Sequence, residues 1–520
     1  ERENVDKLPI VNEHFEDSTT TITVADSRPG WARALRELIA MLYVGQIPSL
    51  DVSQIRPAGA RLKTFGGRAS GPQPLVDLYN FCIATFKKAS GRRLYPIECH
   101  DIMCKIGEVV VVGGVRRSAL ISLSNLNDDQ MRHAKSGSWW ENEGHRALAN
   151  NSVAYKGKPD MGTFMREWLA LYESKSGERG IFNRKSAKKK VEENGRRDSD
   201  YAFGCNPCSE IILRPYQFCN LTEVVCREAD HLDSLKEKVR LSTILGTFQS
   251  TLTDFKYLRK VWKENTEEER LLGVSLTGIL DCYLLNNGTK ESIQRILLEL
   301  KEVAIETNKK IAQDLGIPQS TAITCIKPSG TVSQLVDSAS GIHARHSDYY
   351  IRTVRGDNKD PLTQFMKESG IPIEPDITKP DSVSVFSFPM KSPTGAITRT
   401  AMTAIEQLDY WLMFQRHWCE HKPSVTVSVK ENEWMDVGAW VFKNFDEVSG
   451  ISFLPFSEHT YKQAPYQDID EKEYSKLMES MPKSIDWSKL QDFEKEDTTT
   501  GSKELACTAG VCEVVDIEAS

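Results

Sequence analysis

No apolar run in the chain approaches the roughly 20 residues that a membrane-spanning helix requires; the longest candidate is the short "EVVVVGGV" at 108–115. The N-terminus, "ERENVDKLPIV", lacks the basic-then-apolar pattern of a secretory signal. It also lacks an initiator methionine, so we expect a segment upstream. Cysteine is too sparse for a disulfide framework, 12 in 520 residues, and Cys82, Cys104 and Cys282 sit among apolar neighbours as small core side chains do. Positive charge is short as well: 66 Lys and Arg against 73 acidic residues give a formal charge of -7. That balance excludes broad attraction to phosphate backbones or anionic membranes and favours small-molecule partners. The expectation is a globular, cytoplasmic protein that binds neither nucleic acid nor membrane.

Internal repeats and proline- or serine-rich linkers are also missing from the body, which therefore reads as one large domain over 1–485. Helical periodicity marks 30–47, 73–90, 161–175 and 291–316. Between these lie short β-rich runs at 108–114, 118–124, 151–155, 209–213, 321–326, 424–430 and 450–456. The alternation predicts an α/β fold that can close into a barrel. From 486 to 520 the sequence turns polar and aperiodic, predicting a mobile tail. That tail nevertheless carries Cys507 and Cys512 in "CTAGVC".

The richest stretch is "GCNPCSEIILRPYQFCNLTEVVC" (204–226), with Cys205, Cys208, Cys219 and Cys226. Cys205 and Cys208 have the spacing of a zinc knuckle, but the second pair is six residues apart and follows an apolar run. Packing explains Cys205 and Cys226 taken singly. It explains Cys208 poorly, because Asn206, Cys208 and Glu210 alternate and would share one face of an extended segment. An amide, a thiol and a carboxylate together suit an active site better than a core.

In "KPSGTVSQLVD" (327–337), Ser329, Gly330 and Thr331 can cap a helix starting near Val332 and offer N–H groups and hydroxyls to a phosphate; an ordinary strand-to-helix turn is the competing reading. "TFGGRASGP" (64–72) and "VVGGVRRSA" (111–119) pair glycines with Arg68, Arg116 and Arg117. Neither matches a P-loop or dinucleotide fingerprint. "HRALANNSVAY" (145–155) carries more hydrogen-bonding side chains than a plain strand entry needs.

Taken in order, "FGGRASGP", "GGVRRSALISLSN", "HRALANNSVAY", "NPCSE", "KPSGTVSQL" with "SGIHARHSDYYIRTVR", "GISFLPF" and "CTAGVC" resemble ribonucleotide reductases, and most closely their monomeric adenosylcobalamin-dependent, ribonucleoside-triphosphate-reducing members. The resemblance covers essentially the whole chain. It implies a ten-stranded α/β barrel with a central finger loop, Cys208 as thiyl radical, and Asn206 and Glu210 as its orienting and acid/base partners. Cys219 would be half of the active-site dithiol, re-reduced by Cys507 and Cys512, which exchange with a thioredoxin-like reductant. Adenosylcobalamin would supply the initiating radical.

The resemblance further implies that Ser329, Gly330 and Thr331 bind the substrate phosphates. Arg146 and Asn150 would belong to the substrate-binding "HRALANNS" loop. An effector-site insertion over 11–57 would bind a deoxynucleotide through Asp26 and Ser27, for which a helix N-cap is the competing reading. One departure stands out: in the family, the redox partner of Cys219 lies on an early strand before the point where this chain starts, and neither Cys82, Cys99 nor Cys104 has a matching context. We therefore expect a reductase lacking its N-terminal segment, with no multiple turnover by itself.

Two alternatives remain at this stage. The large subunit of a diiron reductase would carry a tyrosine relay near the C-terminal strands, whereas here Tyr349 and Tyr350 follow the phosphate turn. A non-catalytic zinc-binding module would hold stoichiometric metal through the clustered cysteines.

Overall fold

The computed structural model describes residues 1–60, 69–109, 111–112, 115–116, 118–377, 380–456 and 463–494. The N-terminal layer is a β-α-β unit. Strands β1 (Glu16–Thr23) and β2 (Gln46–Asp51) run parallel, joined by helix α1 (Arg28–Tyr43). Ala34, Leu38 and Leu42, spaced by four, turn the buried face of α1 inward. The helix stops short of the predicted 47 because Gly45 adopts φ 78°, where a Cβ would sit 2.1 Å from the His14 carbonyl oxygen. Helices α2 (Gln73–Lys88) and α3 (Pro96–Val109) complete an apolar cluster with Val11, Ile22, Leu38, Tyr79, Phe86 and Ile102. The run predicted as a strand from 108 thus begins inside α3, whose helix carries through Val109 before a short strand at Val111–Val112.

The main body is built on parallel strands whose nearly unbroken apolar segments need cover on both faces. They are β3 (Leu120–Ser124), β4 (Ala149–Tyr155), β5 (Gly180–Asn183), β6 (Asn220–Val225), β7 (Leu272–Thr277), β8 (Thr324–Cys325), β9 (Thr426–Val429) and β10 (Gly450–Pro455). Their order is β3-β4-β5-β10-β9, continued by β8-β7-β6 through a parallel bridge between Ile326 and Pro423. All neighbours are parallel except β5 and β10, so two parallel groups meet at one antiparallel seam. The crossovers are helical, as parallel pairing demands: α4 (Met161–Ser174), α5 (Leu232–Gln249), α6 (Lys290–Leu315), α7 (Ala404–His417) and α8 (Trp434–Lys443). Their inner faces join the strands in one large core around Trp168, Trp411, Phe414, Trp418 and Trp434. The expected α/β fold is present, with eight strands in this series among the described residues in place of ten.

An outer antiparallel sheet pairs Tyr349–Asp357 with Val383–Lys391 and Tyr466–Asp468. Short helical turns at 487–493 bring Trp487 and Phe493 onto Phe365, at ring-centroid distances of 5.4 and 5.6 Å, so packing continues past the boundary expected at 485. Cys507, Cys512, Arg68 and Arg117 lie outside the described residues, as does the side chain of Arg116. No described helix is long and apolar enough to cross a membrane.

Candidate active site

Cys208 sits at the tip of a hairpin. Gly204–Cys205 pairs antiparallel with Ile212–Leu213, and between them the chain turns: the Ser209 N–H donates to the Asn206 carbonyl (2.8 Å) and the Ile211 N–H to Asn206 Oδ1 (3.0 Å). Ser209 takes φ 65°. The extended segment expected to align Asn206, Cys208 and Glu210 is therefore a turn, because Asn206 satisfies backbone donors that an unpaired strand would leave open.

Four bonds from residues 421–424, just ahead of β9, clasp this tip. Ile212 N–H donates to His421 Nδ1 (3.3 Å), Lys422 N–H to the Glu210 carbonyl (3.0 Å), Lys422 Nζ to Ser209 Oγ (2.7 Å) and Ser424 Oγ to the Cys208 carbonyl (2.6 Å). Asn150 Nδ2 adds a bond to the Pro207 carbonyl (2.8 Å). Sequence reading passed over this segment. Its visible signal is a His-Lys pair entering an apolar strand, where two polar side chains need partners.

Cys208 borders a cleft lined also by Asn150, Asn151, Glu178, Ser424, Thr426 and Gly450. Glu210 does not line it. The Glu210 side chain is fully buried, with Oε1 3.5 Å from Lys327 Nζ and Oε2 without a hydrogen-bond partner among the described residues. Burial pushes the Lys327 pKa down, but the charges of Glu210 and Cys208 more than offset this and hold it above the ordinary lysine value. Lys422 is fully buried, and burial lowers its pKa despite the opposing pull of Cys205 and Glu210.

Strand register places the remaining groups on the same inner face. Leu221 pairs with Gly273, Glu223 with Ser275 and Ser275 with Cys325. A Cβ built on Gly273 would meet Leu221 Cδ2 at 2.5 Å, Ile211 Cδ1 at 3.0 Å and Cys219 Sγ at 3.2 Å, so the absent side chain leaves room for the finger and the thiol. Burial, followed by the Glu210 charge, pushes the Cys219 thiol pKa up. Cys325, missed in the sequence reading, is a second buried thiol in this electrostatic neighbourhood: burial raises its pKa most, then Glu210 and Cys219.

In the "PSGT" turn, Ser329 Oγ bonds to the Glu223 carboxylate and to Thr277 Oγ1 (2.7 Å). Gly330 (φ 52°) precedes a helix of five residues, Thr331–Leu335; the Thr331 side chain is outside the described set. Burial raises the pKa of Glu223 against the opposing pull of Ser329 and Lys327.

Other expected residues stand apart. Arg146 Nε and Nη2 grip both oxygens of Asp101 (2.9 and 2.7 Å), and Arg146 is absent from the cleft lining. Its guanidinium also makes the nearby Asp101, Glu143 and His145 group a poor cation site. Ser27 caps α1, accepting from the Gly30 N–H (3.1 Å), and Asp26 pairs with Arg56 (2.7 Å). Cys226 lies in the core beside Cys282, and the four cysteines of 204–226 form no metal-ligating group among the described residues. Tyr349 donates to Glu471 (2.9 Å) while Tyr350 accepts from Arg345 (3.3 Å), and neither lines the cleft.

Residues 3–83 match the family described as "B12-dependent ribonucleotide reductase, insertion domain", extending beyond the insertion expected over 11–57. Adenosylcobalamin-dependent ribonucleoside-triphosphate reductases from Lacticaseibacillus paracasei and Lactobacillus acidophilus are 28% and 29% identical, over 96% and 94% of this chain and 71% and 70% of theirs. A probable enzyme of the same name from Dictyostelium discoideum is 29% identical over 95% of this chain and 64% of its own. The crystal structure of a B12-dependent (class II) ribonucleotide reductase superposes with a TM-score of 0.77, 24% identity, and coverage of 95% of this chain and 76% of that one. The fold is thus that of a ribonucleotide reductase. Within that class, residues 3–83 match a B12-dependent family and the chain as a whole is similar to B12-dependent enzymes.

Proposed function

We propose that this chain reduces ribonucleoside triphosphates to 2'-deoxyribonucleoside triphosphates by a radical route that starts on Cys208. The observation that carries the reading is the clasped finger: a thiol on a fixed turn at an open cleft, with a buried carboxylate two residues on, in a chain alike end to end to reductases of that name. Adenosylcobalamin is larger than this cleft and would meet it from outside, where Asn150, Ser152, Thr426 and Ser452 would offer it hydroxyl and amide groups. When bound, it supplies the initiating radical by homolysis of its cobalt–carbon bond.

The protein's own residues account for the rest. Cys208 sulfur takes the 3'-hydrogen of the ribose and later returns it. Glu210, whose Oε2 is an unused acceptor, takes the 3'-hydroxyl proton, and Asn206 holds a ribose hydroxyl through Nδ2. The 2'-oxygen leaves as water while one dithiol, including Cys219, becomes a disulfide. Cys507 and Cys512 restore that dithiol and are themselves reduced by a thioredoxin-like partner of the cytoplasm.

The turn at Ser329–Thr331 receives the phosphates. Asn150 and Arg146 position the loop beside the substrate. A deoxynucleotide effector binds the N-terminal layer near Asp26 and Ser27, and the enzyme acts as a monomer. The test is solvent hydrogen exchange into the 5'-carbon of adenosylcobalamin, followed by nucleotide reduction with a dithiol, using Cys208→Ala as control. Exchange that needs the Cys208 thiol supports the reading; equal exchange in the variant overturns it.

A further inference from the structure

We propose that Lys422 fixes the position of the Cys208 sulfur by locking the turn that carries it. The inference rests on the reading of Cys208 as the reacting thiol. Lys422 is fully buried, where an ammonium group is expensive to desolvate and an apolar side chain of the same length would pack at lower cost. It is nevertheless committed to the finger twice, through Nζ to Ser209 Oγ (2.7 Å) and through its N–H to the Glu210 carbonyl (3.0 Å), the residues on either side of their shared peptide bond. Nζ also lies 4.6 Å from the centroid of the Phe182 ring, which closes the other side of the charge.

The turn needs such a lock. Ser209 holds a left-handed φ of 65°, a conformation that a residue with a Cβ adopts at a cost and keeps only when its surroundings determine it. Position 450 shows how tightly the junction is built. A Cβ on Gly450 would stand 2.6 Å from Lys422 Nζ and 2.7 Å from Ser209 Oγ, so β10 gives up a side chain where the two meet. Lys422 does not line the cleft. It acts through Ser209 and Glu210, and is a positioning residue.

The test compares Lys422→Met, Lys422→Arg and Ser209→Ala in the 520-residue chain. Alkylation of each cysteine by iodoacetamide is followed by peptide mass spectrometry, with buried Cys226 as the marker of intact folding. The expectation is that Lys422→Met frees the turn and speeds Cys208 alkylation by about fivefold with Cys226 unchanged, and that Lys422→Arg restores most of the protection. Exchange of solvent hydrogen into the 5'-carbon of adenosylcobalamin by Lys422→Met should slow by about tenfold or more. Should Lys422→Met expose Cys226, Ser209→Ala, which removes the acceptor and keeps the lysine, must show the faster Cys208 reaction. An unchanged Cys208 rate in the folded variants overturns the proposal. Because alkylation needs neither cofactor nor nucleotide, a wild-type protein that exchanges no solvent hydrogen into adenosylcobalamin yet shows the rate difference would sink the reductase reading and leave the lock standing.

Discussion

His421 must be neutral for the finger to be held as it is. Its Nδ1 accepts the Ile212 N–H, so Nε2 carries the proton and donates to the Leu272 carbonyl (2.9 Å). Burial, then the Arg197 charge, drives its pKa well below the ordinary value near 6.5. His343, accepting from the Thr426 N–H at Nε2 (3.0 Å), is lowered by burial as well. Both are neutral in the fold, whereas an unfolded histidine gains its proton as pH falls below about 6.5. Their contribution is therefore complete above that pH and is lost on acidification. The urea midpoint should drop between pH 7.5 and 5.5, and His421→Gln should flatten that dependence. A second residue-level expectation concerns Cys219. After burial, the Glu210 charge is the next cause raising its pKa, so Glu210→Gln should quicken Cys219 alkylation at pH 8 by about two- to tenfold.

At the level of elements, Ser27 offers a choice between cap and ligand. As the N-cap of α1 it should cost about 1 kcal/mol of stability when changed to alanine, read by denaturant titration. Strand β7 is where backbone room matters most. Gly273→Ala would drive a methyl into Leu221, Ile211 and Cys219 and should cost about 1–3 kcal/mol. The long helices were legible because their apolar periodicity is a property of each segment, as α1, α2, α4 and α6 show. The strand Val383–Lys391 was not, because its partner Tyr349–Asp357 is supplied from elsewhere in the chain and its three consecutive buried residues, Ser384, Val385 and Phe386, break the alternation. The clasp at 421–424 was equally hidden. A lysine before a proline says nothing of a serine 213 positions earlier until the fold brings them together.

Across the whole molecule, two apolar clusters divide the stability. One lies among α1, α2 and the first two strands, the other among the helices and strands of the main body. Leu38→Ala should open a cavity in the first, at about 2–5 kcal/mol. Hydrogen exchange should then rise over 16–51 while β6 and β7 keep their protection. The proposed trio of Asn206, Cys208 and Glu210 came from "NPCSE" by resemblance. Its geometry did not, since Glu210 meets Lys327 and Cys208 meets Ser424 only through folding over long separations.

Those separations also set an order of events in time. The bonds from 421–424 to the finger span 209, 213 and 216 residues. A ribosome adding roughly 5–20 residues per second takes about 10–40 s to cover that interval. Through it the nascent Cys208 turn has emerged without its clasp, and the thiol becomes fixed only as the last strands arrive. Synthesis thus delivers the Cys208 thiol in a state in which it cannot yet be aimed.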